Sequence, residues 1–384
     1  MKYAKRMDNL GTETAFEVLA KAKKLEAEGK HIIHLEIGEP DFDTPKNIVD
    51  AAIKSLLAGD THYTPSAGTL DVRTAIAKYV SKTREMQFVP DEVVMVPGGK
   101  PIMFYAIIAL VDEGDEVIYP NPGFPIYESM IKFMGGKPVP IQLKEEKQFA
   151  FDPEDLRKLI TDKTKMLILN TPQNPTGGIL TKADIEKIAE IIKDKDITIL
   201  SDEIYSRLVF EGEPFSIAQV PGFKERTIIL DGFSKTYAMT GWRAGYGVMN
   251  ADLAQKIAKL MTNSNSCTNA MVQKACIEAL EGPQDGADKM REEFIARREI
   301  IVDGLNTIPG FSCIMPHGAF YAFPNITKTG YDSRKLNDHL LYNGGVAALS
   351  GTAFGEFGEG YLRFSYANSR ENIKEAIKRI KSVL

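Results

Sequence analysis

The stretch DGFSKTYAMTGWRAGYG, residues Asp231–Gly247, places one lysine and one arginine between two candidate strands. The apolar run Thr227–Leu230 leads into it and Tyr246–Met249 leaves it, and both runs are typical of buried strands. Burial at the edge of a sheet lowers the pKa of Lys235 and frees an amine that can form a Schiff base with an aldehyde. The guanidinium of Arg243 is suited to bind, through two hydrogen bonds, a phosphate group carried by that aldehyde. The alternative is an exposed turn lysine with an arginine at the edge of the core.

Length and composition favour a globular protein with more than one core. The chain has 384 residues, of which 43% are hydrophobic and 26% are charged. Its net charge of −5 argues against a surface for nucleic acid or for an anionic membrane. No apolar run approaches the length of a membrane span, and the N-terminus lacks the apolar core of an export signal. We therefore expect a cytoplasmic protein.

Cysteine and histidine usage gives the same expectation of compartment and predicts no metal site. The three cysteines, Cys267, Cys276 and Cys313, form no CxxC pair and leave one unpaired, which suits a reducing cytosol. The five histidines are scattered without the spacing of metal ligands.

Strand and helix patterns alternate from Glu92 to about Asn250. This alternation predicts an α/β fold with a mostly parallel sheet, covered by helices on both faces. The seven predicted strands are Glu92–Val96, Glu116–Tyr119, Pro138–Ile141, Lys165–Leu169, Ile197–Ser201, Thr227–Leu230 and Tyr246–Met249. Predicted helices between them include Ile102–Val111, Pro153–Ile160 and Lys182–Lys193.

The two ends of the chain predict a second, smaller unit. Near the N-terminus we expect a helix at Phe16–Gly29 and a strand at Ile32–Ile37. The next helices, one opened by Thr44 as N-cap and Pro45 as first residue and one at Leu70–Lys82, fall in the large domain. A long helix at Asp285–Asn306 is followed by short elements at Ala319–Phe323, Ser333–Leu341, Gly345–Ala348, Tyr361–Ser365 and Arg370–Val383. The predicted division is an N-terminal arm (1–14), a small α+β domain (15–43 with 285–384) and a large domain (44–284).

Ligands of open α/β sheets bind beyond the carboxyl ends of the strands. After the strand at Glu92–Val96 come Gly98, Gly99 and Lys100, followed by an apolar helix. Glycines here let the backbone approach a ligand, and free N–H groups at a helix start suit a phosphate. The alternative is an ordinary strand-to-helix turn. A Walker loop is excluded because Pro101 follows the lysine, and no GxGxxG follows the first strand.

Residues at the ends of the following strands could bind a planar ring. Phe124 can stack on a planar ring, although core packing is the commoner fate of a phenylalanine. Asn174 lies in a proline-rich, rigid run and can donate a hydrogen bond. Asp202 directly follows a buried strand, where a carboxylate is costly unless a cation such as a protonated pyridine nitrogen pairs with it. Tyr205 can donate to a phenolate oxygen, and the alternative for Asp202 is a helix N-cap. Together these groups predict a site for pyridoxal phosphate.

With these motifs the chain resembles the class I aminotransferases of fold type I, in particular their bacterial and archaeal aspartate/aromatic branch. The resemblance spans essentially the whole chain. The motifs that carry it are, in order, GEPDFDTP (38–45), YTPSAG (63–68), GGK (98–100), NPTG (174–177), SDEIY (201–205), FSKTYAMTGWRAGYG (233–247) and LRFSYA (362–367).

The resemblance implies a role for each matching residue. Lys235 would hold the cofactor as a Schiff base and act as the base, Asp202 would pair with the pyridinium nitrogen, and Asn174 and Tyr205 would bond the ring oxygen. Arg363 would bind the substrate α-carboxylate opposite the backbone of Gly38. The bland alternative for Arg363 is a strand arginine in a surface ion pair. The residues implied around the phosphate and the ring are Gly98, Gly99, Lys100, Phe124, Ser234 and Arg243, together with Tyr63 reaching over from the second subunit of a homodimer.

The implied activity is amino transfer from an L-amino acid, aspartate and/or aromatic, to a 2-oxo acid such as 2-oxoglutarate. Phe124 stands where aspartate enzymes often have tryptophan, and Ala15 and Phe16 stand where relatives that read a distal carboxylate place a hydroxyl. Lys100 resembles the lysine of aspartate-preferring members. Two alternatives are a β-lyase acting on cysteine conjugates with the same cofactor, and a non-catalytic protein that binds pyridoxal phosphate. Regulators of the second kind usually carry a DNA-binding domain, for which this chain has no spare length.

Overall fold

The structure, a computed structural model, describes residues 1–384. Its largest sheet has seven strands in the order β2-β8-β7-β6-β5-β3-β4. All neighbours are parallel except that β8 runs antiparallel to β2 and β7. The prediction of a mostly parallel, seven-stranded sheet is confirmed. The strands are β2 Val93–Val96, β3 Glu116–Asn121, β4 Lys137–Gln142, β5 Thr164–Asn170, β6 Thr198–Asp202, β7 Thr227–Gly232 and β8 Gly245–Val248.

The central strands are continuous apolar runs because helices cover both faces of the sheet. Every residue of β2, β3, β7 and β8 is buried. The twelve α-helices are α1 Ala15–Ala27, α2 Lys46–Leu57, α3 Leu70–Thr83, α4 Lys100–Leu110, α5 Ile126–Phe133, α6 Pro153–Leu159, α7 Lys182–Ile192, α8 Ala251–Ser264, α9 Ala270–Glu281, α10 Asp285–Asn306, α11 Ser333–Gly344 and α12 Arg370–Val383. No helix combines the length and the apolar composition that a membrane crossing requires.

Two small sheets lie among the terminal segments. One pairs β1 Ile33–His34 in parallel with β10 Val346–Ala347, and the other has the order β11 (Leu349–Ser350), β12 (Leu362–Ser365), β9 (Tyr321–Ala322). Helices α10, α11 and α12 pack beside these strands. The strands of the large sheet all lie between residues 93 and 248, and the division into an arm and two domains stays a prediction.

Two local predictions are wrong in detail. The helix after the first loop begins at Lys46 with Pro45 as its N-cap residue, because the Thr44 hydroxyl is used elsewhere. It donates to the Ala238 carbonyl at 2.7 Å and accepts from Trp242 Nε1 at 2.9 Å. The strand expected at Ile32–Ile37 is only two residues long, since its partner β10 is equally short. The loop before α2 is thus bonded to the segment that contains Lys235.

Candidate active site

A cavity of about 790 Å³ lies at the carboxyl ends of the strands of the large sheet. It brings together residues that are far apart in the sequence, from the N-terminal segment, the large sheet and the C-terminal strands. Among the predicted site residues, those that line it are Gly38, Gly99, Lys100, Phe124, Asn174, Asp202, Tyr205, Ser234, Lys235, Arg243 and Arg363. Gly98 lies just behind this lining, and Tyr63, with 88% of its surface exposed, lies outside the cavity.

Lys235 lies in the turn that follows β7 and points into the cavity. Its side chain is partly buried, and Nζ donates to the Gly38 carbonyl at 2.5 Å. Burial lowers the pKa of Lys235 to about 8, so about a tenth of the amine is unprotonated at pH 7, far more than for an ordinary lysine. The alternative of an exposed turn lysine is wrong.

The backbone builds the end of the cavity that contains Arg243. Gly99 is the N-cap residue of α4, and no side chain caps this helix start. Gly98 has a φ of +87°, and a Cβ there would lie 2.0 Å from Nη2 of Arg243. A Cβ on Gly245 would lie 2.5 Å from the backbone nitrogen of Gly99. Glycine is therefore required for close packing at these positions, and the open helix start beside a guanidinium suits a phosphate.

Asp202 is the last residue of β6 and is buried in the cavity wall. Its Oδ2 accepts a 2.6 Å hydrogen bond from the Tyr127 hydroxyl, and its Oδ1 accepts from the Ile204 backbone at 3.3 Å. Burial raises the pKa of Asp202 to about 6. The helix N-cap alternative is wrong because the chain enters a turn here and no helix starts. A buried carboxylate without a cationic partner fits a protonated ring nitrogen.

Tyr127 is a functional candidate that the sequence interpretation missed. It belongs to the same motif as Phe124, PNPGFPIY, so its position three residues further on was the available signal. The two rings make an edge-to-face contact with centroids 5.6 Å apart. Phe124 is only partly buried and faces the cavity, so core packing alone does not describe it.

Arg363, in β12, is a buried cation at the opposite end of the cavity. Nη1 donates to Asn174 Oδ1 at 3.0 Å and Nη2 donates to the Glu36 carbonyl at 2.5 Å, while Nε has no acceptor. The guanidinium also lies 4.5 Å from the ring centroid of Tyr321. The surface ion-pair alternative is wrong, since no carboxylate contacts this side chain. A buried guanidinium with a free donor fits the carboxylate of a ligand.

The two predicted donors to a ring oxygen have protein partners in the structure. The Tyr205 hydroxyl lies 2.8 Å from the Tyr321 hydroxyl, and the Asn174 side chain accepts from Arg363. Both face the cavity, and their contacts to a ring stay a prediction. Tyr321 was missed by the sequence interpretation, which placed it in a strand without a role.

Lys100 forms an ion pair with Glu13, which the sequence interpretation placed in an N-terminal arm without a function. The ammonium lies 5.4 Å from the ring centroid of Phe124. The backbone of Lys100 is part of the helix start, whereas the contact of its side chain with a phosphate stays a prediction.

Comparison with known proteins agrees with this geometry. The family model described as aminotransferase class I and II matches residues 30–380. An aspartate aminotransferase from Bacillus sp. (strain YM-2) is 41% identical, over 98% of this chain and 97% of the relative. The solved structure of the aspartate aminotransferase from Thermus thermophilus with maleate is 34% identical, with a TM-score of 0.96 over 100% of both chains. The aromatic aminotransferase from Pyrococcus horikoshii OT3 is 38% identical, with a TM-score of 0.90 over 95% of this chain and 98% of that one.

An open helix start beside Arg243, a buried carboxylate, a lysine of lowered pKa and a buried arginine therefore occur together in a chain whose relatives are transaminases over their full length. The chain belongs to the class I and II aminotransferases and is a transaminase that depends on pyridoxal phosphate.

Proposed function

We propose that the enzyme transfers the amino group of an L-amino acid, aspartate and/or aromatic, to a 2-oxo acid such as 2-oxoglutarate. The observation that carries this proposal is the shared cavity of Lys235 and Arg363. Arg363 is buried without a carboxylate partner and keeps Nε free, which suits the α-carboxylate that all these substrates share. The named activities of relatives, on aspartate and on aromatic amino acids, support the same substrate classes.

The cofactor site is proposed to consist of two parts. The start of α4 at Gly98 and Gly99, with Ser234 and Arg243, holds the phosphate, and Asp202 holds the proton of the ring nitrogen. When bound, pyridoxal phosphate supplies an aldehyde that condenses with amines and a ring that accepts the electron pair left at the substrate Cα. Because Asp202 is buried and has no cationic protein partner, a protonated ring nitrogen compensates its charge.

Lys235 is proposed to move the substrate proton. An amine with a pKa of about 8 is a suitable general base near neutral pH, since it is neither fully protonated nor a weak acceptor. Arg363 fixes the substrate through two N–H groups and thereby orients the Cα–H bond relative to Nζ of Lys235. Arg363 is buried and Lys235 is partly buried, which limits the access of water to the reacting carbon.

We further propose that the active unit is a homodimer in the cytoplasm. Tyr63 is 88% exposed on this chain, and an aromatic side chain so exposed is suited to contact a second subunit. The proposed contact is with the cofactor phosphate of that subunit. All three cysteines carry free thiols, which fits a reducing compartment.

An assay of the purified protein with pyridoxal phosphate and 2-oxoglutarate tests the activity. Aspartate, phenylalanine and alanine are offered in turn, and glutamate and the new 2-oxo acid are measured. Equimolar formation of both products from aspartate or phenylalanine is the expected result. Release of ammonia and pyruvate from a cysteine conjugate, without any acceptor, would instead indicate the β-lyase. Cofactor binding without turnover of any donor would indicate the non-catalytic alternative.

A further inference from the structure

Glu36 carries a buried carboxylate in a residue that is bonded to Arg363. None of the surface of Glu36 is exposed, and its backbone carbonyl accepts a 2.5 Å hydrogen bond from Nη2 of Arg363. Two residues further on, the Gly38 carbonyl accepts from Lys235, so this short segment contacts both proposed functional side chains. A carboxylate that is fully removed from water is costly unless a cation compensates its charge.

His34 supplies this compensating charge. Its Nδ1 lies 2.8 Å from Oε1 of Glu36, and its Nε2 lies 3.1 Å from Oε1 of Glu26 in α1. The bond to Glu36 raises the pKa of the His34 imidazole, as expected for a histidine between two carboxylates. Lys23 of α1, which pairs with Glu26, and Arg363 of β12 line the same cavity as His34. Strand β10, which pairs with β1, carries no charged residue.

Glu36 and Arg363 each keep one buried polar atom without a hydrogen-bond partner. These atoms are Oε2 of Glu36 and Nε of Arg363. The carboxylate oxygen can only accept a hydrogen bond and the guanidinium nitrogen can only donate one. The two charges also influence each other, since burial lowers the pKa of Arg363 and the charge of Glu36 is among the influences that raise it. Arg363 is therefore an alternative cation for the Glu36 carboxylate.

We propose that His34 is a positioning residue of the substrate site: in its protonated form it binds the Glu36 carboxylate and leaves Arg363 free for the α-carboxylate of the substrate. This inference rests on the proposed function, in which Arg363 binds that group. A neutral His34 leaves the buried Glu36 charge without its cation. Glu36 then competes with the substrate carboxylate for Arg363 and repels it. Amino acids and 2-oxo acids, 2-oxoglutarate included, share the α-carboxylate, so His34 affects donor and acceptor alike.

The substitution His34→Gln keeps a polar side chain that cannot carry the charge. Calorimetry on the holoenzyme measures the dissociation constant of 3-phenylpropanoate, a monocarboxylate that has no amino group to react. At about pH 6, where His34 is protonated, the variant should bind the acid about tenfold more weakly than wild type. As pH rises to about 9.5 the imidazole loses its proton, and the two proteins should come to agree within about twofold. Comparison at each pH cancels the titration of groups that both proteins share, such as Lys235.

The matched control is His31→Gln, because His31 is exposed, contacts Arg379 and does not line the cavity. This control should bind 3-phenylpropanoate as wild type does at every pH. A deficit of His34→Gln that stays the same at all pH values indicates a merely structural role and overturns the inference. Equal affinities of His34→Gln and wild type at about pH 6 overturn it as well. Circular dichroism confirms that both variants fold.

A second substitution tests the competition by Glu36 directly. The double variant His34→Gln with Glu36→Gln lacks the buried negative charge, so its affinity at about pH 6 should return to within about threefold of wild type. A double variant as weak as His34→Gln overturns the inference.

Arg363→Lys separates this inference from the proposed function. If Arg363→Lys binds 3-phenylpropanoate as tightly as wild type, Arg363 is not the carboxylate site, and the proposed function fails together with the inference. If Arg363→Lys binds the acid weakly while His34→Gln binds it normally, only the inference fails.

Discussion

The Tyr127 hydroxyl donates a 2.6 Å hydrogen bond to Oδ2 of Asp202, and both side chains are buried. This bond opposes the effect of burial, because it stabilises the ionised carboxylate and lowers its pKa while burial raises it. The partner of the proposed ring nitrogen is therefore held in place by a residue from α5, whose hydrogen bond favours the ionised form.

Tyr127→Phe removes that hydroxyl and retains the ring. We expect the pKa of Asp202 to rise further and cofactor affinity to fall about tenfold, since a hydrogen bond to a charged group contributes roughly 1.5–3 kcal/mol. Spectroscopic titration with pyridoxal phosphate measures the affinity. Tyr119→Phe is the control, because that hydroxyl bonds Glu128 outside the cavity. Equal affinities of Tyr127→Phe and wild type would contradict the role.

Lys235→Ala should abolish turnover and leave the fold intact. The expected loss in kcat is roughly 1,000-fold or more, because the variant lacks both the amine that holds the cofactor and the proposed base. Steady-state kinetics and circular dichroism measure the two effects. Lys182→Ala removes an exposed lysine at the start of α7 and serves as the control. Substantial activity of Lys235→Ala would refute the assignment.

Arg363→Lys keeps a positive charge but loses the planar fork of donors. KM for the amino acid should rise about 10- to 100-fold while cofactor affinity stays near wild type, since a lysine cannot bind a carboxylate bidentately and replaces a buried side chain poorly. The exposed Arg334 offers a control in Arg334→Lys. If Arg363→Lys instead lost cofactor binding and kept the KM of wild type, the assignment of Arg363 to the substrate carboxylate would be wrong.

Asp202→Asn should stabilise the cofactor-free protein at neutral pH although it lowers activity. The pKa of Asp202 is raised from 3.8 to about 6 in the fold, so the folded state holds an extra proton between these values and loses stability as pH rises through them. The cost of the ionised side chain reaches about 3 kcal/mol above pH 6. Urea unfolding measures the free energy of unfolding of Asp202→Asn and of wild type. The excess stability of the variant should be about 1 kcal/mol larger at pH 8 than at pH 5. A difference that shrinks with pH contradicts this reasoning.

The residue next to Asp202 belongs to a buried ion cluster that offers a test of stability. Arg84 Nη2 lies 2.8 Å from Glu203 and 3.0 Å from Asp231. Arg84→Met leaves two buried carboxylates without a cation, which should cost about 3–5 kcal/mol of unfolding free energy. Chemical denaturation measures it, and the exposed pair of Lys46 and Asp50 provides the control Lys46→Met, for which the expected change is below about 1 kcal/mol.

The seven strands and most of the cavity could be predicted because both depend on local patterns. Apolar runs identify buried strands, and a polar residue that ends such a run lies at the carboxyl edge of the sheet, as Asp202 does. Which side chains contact each other depends instead on segments that are distant in the sequence. Neither Glu13 beside Lys100 nor Tyr321 beside Tyr205 has a local signal, since each pair joins segments that only the complete fold brings together. The Thr44 hydroxyl likewise bonds a distant segment in place of the helix cap that its local pattern predicts.

The close approach of Gly245 to Gly99 has a consequence for how this enzyme can be changed. The proposed phosphate site includes the main chain at the start of α4, and main-chain groups keep their chemistry when side chains are exchanged. Other parts of the cavity wall are formed by side chains such as Phe16, Leu19 and Phe354, which single substitutions alter. A new amino-acid preference can therefore be engineered or evolved stepwise in these parts of the wall, while the capacity to retain the cofactor passes unchanged from variant to variant.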